Sequence, residues 1–346
     1  MRPVMQPTRP PTLQPGTRPV KEPGRARWRH VLPWAVSAGL LAYVFGWATD
    51  WERLTEAMRH ANVPLFLFFA TCDRLAFFAI WTLLQAAALR RFVAHVPLRS
   101  VLAVRGGSEL LRAVSNPLSD AAFFLGLTRL AAGRIEAVLA AALVPAVCHF
   151  LVMLLQMSVA FPFLPGGVAA NNDVGIALAI GWPVVLGVVL AARLSSRGVR
   201  VPGGERVRAW MTRFPMRELW PFFLGFTALA VFDVVIQRLA SEAFGTRIGW
   251  LALTARIPLV YLAFVIPTLG NFGTRELAWA SLFAEFGTRD ELIAYAFAVN
   301  GVFLILNVLL GVIFLRRALD LMAAVRLARR AGAPMPRPAF HDPTDL

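Results

Sequence analysis

The chain has 346 residues, of which 58% are hydrophobic and only 16% are charged. A soluble globular protein is roughly half apolar and about a quarter charged, so this composition excludes a soluble enzyme, a disulfide-stapled secreted domain and a disordered protein. Together with a mean hydropathy of +0.61, it predicts an all-α, polytopic membrane protein. The net charge of +15 comes from basic residues that lie between long apolar runs, a pattern that fits membrane orientation better than nucleic-acid binding.

The first 29 residues contain seven Pro and seven Lys or Arg without apolar periodicity. This pattern predicts a disordered basic tail over 1–29. The apolar run that follows, 31–49, lacks a convincing cleavage site and is interpreted as a retained first span. A helical transmembrane domain is predicted over 30–315, because later runs are also long enough to cross about 30 Å of hydrocarbon. These runs are 63–89, 135–162, 174–192, 219–240, 248–269 and 292–315.

Two further apolar segments, 98–131 and 270–288, are interrupted by Gly, Pro and charged residues. The first is broken at Ser115-Asn116-Pro117, and the second follows the break Pro267-Thr268-Leu269-Gly270-Asn271. Proline ends a helix and forces the residue before it into an extended conformation. We therefore expect both segments to turn back within the membrane as re-entrant hairpins.

The distribution of arginine sets the predicted topology. Basic residues concentrate in the N-terminal tail and in 90–134, 193–217 and 316–337, and such stretches mark the cytoplasmic side. Both termini are then cytoplasmic, and the chain has about six full spans if the hairpins enter from opposite faces.

Interrupted segments in corresponding halves of a chain, with opposite topology, are typical of inverted-repeat transporters. Unwound backbone at membrane depth is tolerated only against protein or a water-filled cavity, so the two breaks predict a polar cavity near the midplane. The alternative is that both segments are short tilted or interfacial helices in a loosely packed bundle.

The C-terminal region begins with a basic amphipathic segment, 316–331, in which apolar and arginine side chains alternate at helical spacing. Such a helix is expected to lie on the anionic cytoplasmic leaflet. The Pro-containing end, 332–346, is predicted to be disordered.

Catalytic and metal-binding motifs are missing from the sequence. There is no HExxH, GxSxG, Walker or GxGxxG motif, and the single lysine, Lys21, lies in the tail. Cys72 and Cys148 lack metal-ligand spacing and are interpreted as structural thiols, and His149 stands alone in its span. We therefore expect neither catalysis nor a metal or cofactor, and an enzyme acting on lipid phosphates is disfavoured because no His or Lys is placed as nucleophile or base.

Ionisable residues within apolar segments are costly and are candidates for functional sites. Arg105, Glu109 and Arg112 are spaced to share one face of a helix. Guanidinium groups bind phosphate through two parallel hydrogen bonds, so we expect four arginines to converge on a cavity that neighbouring acids, including Asp73, keep close to neutral. The alternative is that each arginine pairs with a nearby acid or extends to an interface. The candidate substrate-binding residues are Arg74, Glu109, Arg112, Asp120, Asp233, Arg256, Asn271, Arg275 and Glu276. The four arginines expected to converge are Arg74, Arg112, Arg256 and Arg275.

The region from Ile266 to Leu315 resembles the C-terminal landmark of the lysylphosphatidylglycerol synthase transmembrane-region family, a flippase-like membrane domain. An earlier stretch, Gly106–Arg134, resembles the family's other landmark, a polar turn with Asn and Pro between two short helices. The chain departs from the family pattern at Asn271, where the family has Gly, and after Asp120, where a following Arg is missing. The residues that carry the C-terminal likeness are Pro267, Gly270, Gly273, Thr274, Arg275, Glu276 and Gly311.

The resemblance covers roughly residues 31–325 and implies a bacterial inner-membrane protein that moves a lipid, often an aminoacylated or glycosylated one, between leaflets. No aminoacyltransferase domain is expected after the last span, because too few residues remain to fold one. In this hypothesis Arg112 and Arg275 hold the lipid phosphate, while Glu276 and Asp120 balance charge or bind a cationic head group. The alternative is a non-transporting scaffold or regulator that docks a lipid- or polysaccharide-synthesis enzyme through the Arg-rich loop 193–217 and the basic tail.

Overall fold

The computed structural model describes residues 59, 61–112, 115–131, 135–166, 171–263 and 272–330, with side chains as far as residue 323. This part of the chain is helical and contains no strand. The predicted tails, the first span 31–49 and the break at Pro267–Asn271 lie outside the described residues. The helices are α1 (Val63–Phe92), α2 (Leu98–Arg112), α3 (Asn116–Leu130), α4 (Ile135–Ala160), α5 (Asn172–Ser196), α6 (Gly204–Arg213), α7 (Met216–Ala243), α8 (Trp250–Ala263), α9 (Thr274–Leu282) and α10 (Arg289–Arg330).

Five of these helices, α1, α4, α5, α7 and α10, are long and apolar enough to cross a membrane. They correspond to five of the runs expected from the sequence, so the prediction of a helical membrane bundle is confirmed at this level. The run 248–269 contains a shorter apolar helix, α8.

The last helix differs from the expected division into a span and a separate amphipathic helix. α10 continues without a break from Arg289 to Arg330, and therefore includes 316–330. No Gly or Pro lies between Val312 and Arg330, and the Ala, Leu and Arg residues of this part favour helix.

The expected break near Pro117 separates two packed antiparallel helices. Ser115 is extended and precedes α3, so the proline lies in the first turn, where a helix does not need its N–H. The two helices are joined by a hydrogen bond of 2.8 Å that the Ser119 hydroxyl donates to the Ser108 carbonyl oxygen. α2 and α3 therefore form a helical hairpin.

The hairpin packs closely against α10. A Cβ atom at Gly311 would lie 2.7 Å from the backbone nitrogen of Leu110, and one at Gly106 would lie 2.3 Å from the ring of Phe314. Small residues at these points allow the helix backbones to approach each other, as in membrane helix pairs. α1 contacts α2, α4, α7 and α10.

α5 lies at the outside of the bundle. Only 11% of its most apolar segment is buried, and side chains such as Ile180, Leu186 and Leu190 are exposed. A helix that is hydrophobic on its exposed face is suited to contact with lipid chains rather than water.

Candidate functional site

A cavity of about 750 Å³ lies between α1, α2, α3, α4, α8 and α10. This volume is within the range of small-molecule binding sites. The charged residues of its lining are Arg74, Arg105, Arg112 and Asp120, and most of the remaining lining is aromatic or apolar. The cavity can therefore accept a ligand with a charged group and an apolar part.

Glu109 is fully buried and holds three arginine side chains in place. Its Oε2 atom binds Arg74 Nη2 and lies 3.0 Å from Arg112 Nε. Its Oε1 atom lies 3.1 Å from Arg105 Nε. Because Glu109 itself does not line the cavity while all three arginines do, its charge fixes the guanidinium groups from behind.

The second acid of this group, Asp120, comes from the first turns of α3. Its Oδ1 atom lies 2.6 Å from Arg112 Nη2 and 3.4 Å from Arg105 Nη1, and its side chain is 45% exposed. We call Arg74, Arg105, Glu109, Arg112 and Asp120 the arginine cluster. With both acids ionised, its net charge is +1.

The local sequence explains much of this arrangement. α2 places Arg105, Glu109 and Arg112 on one face, as their spacing predicted. Arg74 is added from α1, where its Nε atom donates to Asn307 Oδ1 of α10 at 2.7 Å. Arg105 lies on the helix face predicted from the sequence, although it was not among the predicted substrate-binding residues.

A second polar group, the carboxyl cluster, consists of Asp73, Asp233, Gln237, Tyr261 and Tyr295. The Gln237 Nε2 atom donates to Asp73 Oδ2 at 3.1 Å and to Asp233 Oδ1 at 3.4 Å. Tyr261 donates to Asp233 Oδ2 at 2.6 Å, and Tyr295 donates to Gln237 Oε1 at 2.7 Å. Four helices, α1, α7, α8 and α10, thus meet at a buried polar centre.

The two tyrosines of the carboxyl cluster were missed by reasoning from the sequence. The chain has only three tyrosines, and Tyr261 and Tyr295 both lie within apolar helices. A buried tyrosine hydroxyl usually requires a hydrogen-bond partner, so their rarity and position were the available signal.

Arg275 and Glu276 lie beside the carboxyl cluster at the start of α9. The guanidinium carbon of Arg275 lies 4.7 Å from the centre of the Phe303 ring. Glu276 accepts hydrogen bonds from the Gly273 N–H at 2.6 Å and from Asn300 Nδ2 at 3.0 Å. Glu276 therefore caps α9, and neither charged side chain is among the described residues that line the cavity.

The remaining candidate residues lie elsewhere. Arg256 donates to Asn171 Oδ1 at 2.9 Å and forms ion pairs with Glu285 at 2.9 Å and Asp173 at 3.4 Å. Of the four arginines expected to converge, Arg74 and Arg112 are thus brought together, whereas Arg256 and Arg275 are held at other places. Asn271 lies outside the described residues.

An apolar pocket of about 220 Å³ adjoins the cavity, between α4, α5 and α8. Phe150, Met153 and Leu262 line both spaces. The pocket and the cationic cavity therefore share a wall. The outer side of the pocket is formed by α5, the helix suited to contact with lipid chains.

Comparisons with family models, curated proteins and solved structures find no match for this chain, so its resemblance to the lysylphosphatidylglycerol synthase transmembrane-region family stays a prediction. Within the described part of the chain, no group of three or more His, Cys, Asp or Glu side chains has an arrangement suited to a metal ion.

Proposed function

We propose that the protein is an integral-membrane lipid translocase, which moves a phospholipid or head-group-modified lipid between leaflets through the cavity. The observation that carries this proposal is a cationic cavity adjoining an apolar pocket. A lipid has the same two parts, a charged head group and apolar chains, at adjacent positions.

The arginine cluster is suited to the phosphate of the head group. Arginine forks bind phosphate oxygens in pairs, and the net charge of +1 matches one phosphodiester. Asp120 is the most exposed member of the cluster, so an arriving phosphate can take its place on Arg112 while buried Glu109 stays bound. Once displaced, Asp120 is available to a cationic substituent on the head group.

The apolar pocket is suited to part of an acyl chain. It lies against α5, the helix with the least buried apolar segment among the five candidate spans, so a chain in this pocket has a short path to the surrounding bilayer. A carrier of soluble anions needs no such pocket, and a scaffold that only docks an enzyme needs no cationic cavity. The same features therefore favour lipid transport over the scaffold alternative.

The proposal includes a bacterial inner-membrane location, both termini in the cytoplasm, about six full spans and a re-entrant α2–α3 hairpin. The Arg-rich stretches support the orientation, and the helix break before Pro117 supports the hairpin. The proposal assigns binding and passage to the protein, and no covalent chemistry.

Exchange of a fluorescent anionic phospholipid in vesicles tests the function. Purified protein is reconstituted, and a membrane-impermeant quencher measures how quickly label moves between leaflets. We expect wild type to exceed protein-free vesicles and Arg112→Gln to slow exchange by roughly 10-fold or more, because hydrogen bonds to charged groups contribute about 1.5–3 kcal/mol. Arg91→Gln is the matched control, since Arg91 forms an exposed pair with Glu218 at 3.2 Å.

Parallel vesicles with zwitterionic and aminoacylated labelled lipids identify the head-group class. Wild-type protein that accelerates none of these lipids contradicts the proposed function. Equal slowing by Arg112→Gln and Arg91→Gln contradicts the assignment of the head-group site to the arginine cluster.

A further inference from the structure

The carboxyl cluster contains two acids whose positions are not explained by holding a lipid head group. Asp73 and Asp233 are 1% and 2% exposed, and their carboxyl groups lie close enough to accept from the same Gln237 Nε2 atom, at 3.1 and 3.4 Å. Two carboxylates this close repel each other, and binding of one proton relieves the repulsion.

The hydrogen bonds around this pair leave a place for that proton. Gln237 donates to both acids and Tyr261 donates to Asp233. The Oδ1 atom of Asp73 is buried, and no donor among the described residues reaches it. An unpaired buried acceptor is costly, and a proton shared between the two carboxyl groups removes that cost.

We infer that the Asp73–Asp233 pair is a proton-binding site, and that its loading couples lipid movement to the proton gradient. This inference rests on the proposed function, since it supplies the driving force for the same transport. The pair binds one proton on one side of the membrane, and one carboxyl group becomes neutral. During the transport cycle it releases that proton on the opposite side.

The carboxyl pair is connected to the arginine cluster through two adjacent residues of α1. Asp73 is followed directly by Arg74 in α1, and Arg74 binds Glu109 of the arginine cluster. Consecutive helical residues point about 100° apart, so one helix presents the acid to one cluster and the arginine to the other. Neutralising Asp73 removes a negative charge beside Arg74 and strengthens its attraction for an anion. Because such linkage is reciprocal, proton and anionic lipid are expected to bind together and move in the same direction.

Tyr261 gives the proton a route from the cavity. Its side chain lines the cavity, and its hydroxyl donates to Asp233 Oδ2 at 2.6 Å. The hydroxyl proton passes to the carboxylate while the phenol oxygen takes a proton from the cavity side. The tyrosine is neutral before and after, and the carboxyl pair gains one proton.

Other titratable or charged groups face this pair from the helices packed around it. His149 of α4 is the main competitor, since its ionisable ring lies 6.4 Å from that of Tyr261. The experiment must therefore separate the aspartates from the histidine. The facing groups are Arg74 from α1, His149 from α4, Tyr261 from α8, Arg275 from α9 and Tyr295 from α10.

Lipid exchange under an imposed pH gradient, with the membrane potential clamped at zero, tests the inference. For wild type we expect labelled anionic lipid to leave the acid-facing leaflet about 5-fold faster or more than without a gradient. Asp73→Asn and Asp233→Asn keep the side-chain shape but cannot carry this proton, so both are expected to exchange lipid at a rate independent of the gradient. His149→Asn is expected to keep the wild-type response, as is the surface variant Glu242→Gln.

The outcomes separate the inference from the function on which it rests. Wild type that exchanges lipid equally with and without a gradient contradicts proton coupling but leaves the translocase intact. Wild type that exchanges no lipid contradicts the proposed function itself. A response that persists in both aspartate variants, or that disappears in His149→Asn, overturns the assignment to the carboxyl pair.

A second measurement needs no variant and remains decisive if an aspartate substitution prevents folding. Short-chain phosphatidylglycerol is added to detergent-solubilised wild type in weak buffer with a pH-sensitive dye. We expect protons to be taken up as the lipid binds. Saturable lipid binding without proton uptake at any point between about pH 5 and pH 8 overturns the inference.

Discussion

Replacing Glu109 by glutamine removes the charge that holds three arginines together. Glu109 is fully buried, and the arginine side chains around it are 9–16% exposed. The substitution keeps the shape of the side chain and one acceptor oxygen. It leaves Asp120, which is 45% exposed, as the only acid of the cluster, and the net charge rises from +1 to +2.

The expected loss of stability follows from this change in charge. Removing one partner of a buried ion pair costs about 3–5 kcal/mol, because the remaining charge is left uncompensated. The adjoining cavity gives the three guanidinium groups some access to water, so we expect a value near the lower limit, about 3 kcal/mol. Glu242→Gln is the matched control, since Glu242 is 43% exposed and lies 3.6 Å from Arg238 and 3.8 Å from Arg247. Pairs of that kind contribute about 0–1 kcal/mol.

Thermal unfolding of detergent-solubilised protein measures the difference. A thiol-reactive dye reports unfolding, because Cys148 is only 2% exposed in the folded protein and reacts when its surroundings open. We expect Glu109→Gln to unfold several degrees below wild type. The control Glu242→Gln is expected to unfold at the same temperature as wild type. The added positive charge also strengthens anion binding, so phosphate or anionic lipid is expected to raise the unfolding temperature of Glu109→Gln more than that of wild type.

Two results would contradict the assigned role of Glu109. If Glu109→Gln and Glu242→Gln unfold at the same temperature, the arginines are not held by the buried charge. If Glu109→Gln is destabilised but anions stabilise it no more than wild type, the cluster is structural and does not present its positive charge to a ligand.

Two other substitutions test the helix packing and the apolar pocket. Gly311→Ala places a Cβ atom 2.7 Å from the backbone nitrogen of Leu110, so thermal unfolding is expected to report a loss of about 1–3 kcal/mol. Gly301→Ala, in the same helix with no atom within 4 Å of the new Cβ, is expected to gain up to about 1 kcal/mol, and equal effects of the two would contradict the close approach of α2 and α10. Ala177→Phe fills the pocket between α4, α5 and α8, and is expected to slow exchange of long-chain lipid in vesicles while binding of a short-chain lipid is unchanged. Unchanged long-chain exchange would show that the acyl chains do not use this pocket.

Several features of the fold were accessible from the sequence because they depend on neighbouring residues. Apolar runs of sufficient length identified five helices that the structure contains. The break before Pro117 was predicted because proline restricts the residue that precedes it. By contrast, the end of the last span could not be found from apolarity alone, since α10 continues into a basic segment that has equally strong helix-forming residues.

The contents of the arginine cluster were predictable only in part. The face shared by Arg105, Glu109 and Arg112 follows from helical spacing. The partner of Glu109 on α1, Arg74, is 35 positions away, and nothing in the spacing along either helix indicates that they meet. Their contact depends on how α1 and α2 are rotated about their axes.

The apolar runs and the charged residues within them are sufficient to predict a helical membrane protein and to identify its unusual buried charges. Which of those charges meet depends on the tertiary packing. Asp73 is brought close to Asp233 through Gln237, which is 164 positions from Asp73 in the chain. Arg256 is held elsewhere, by Asn171 and its acidic partners. Apolarity and helical period are properties of a local stretch of chain. The choice of a partner for each buried charge depends on the packing of whole helices, which sets their distances and rotations together.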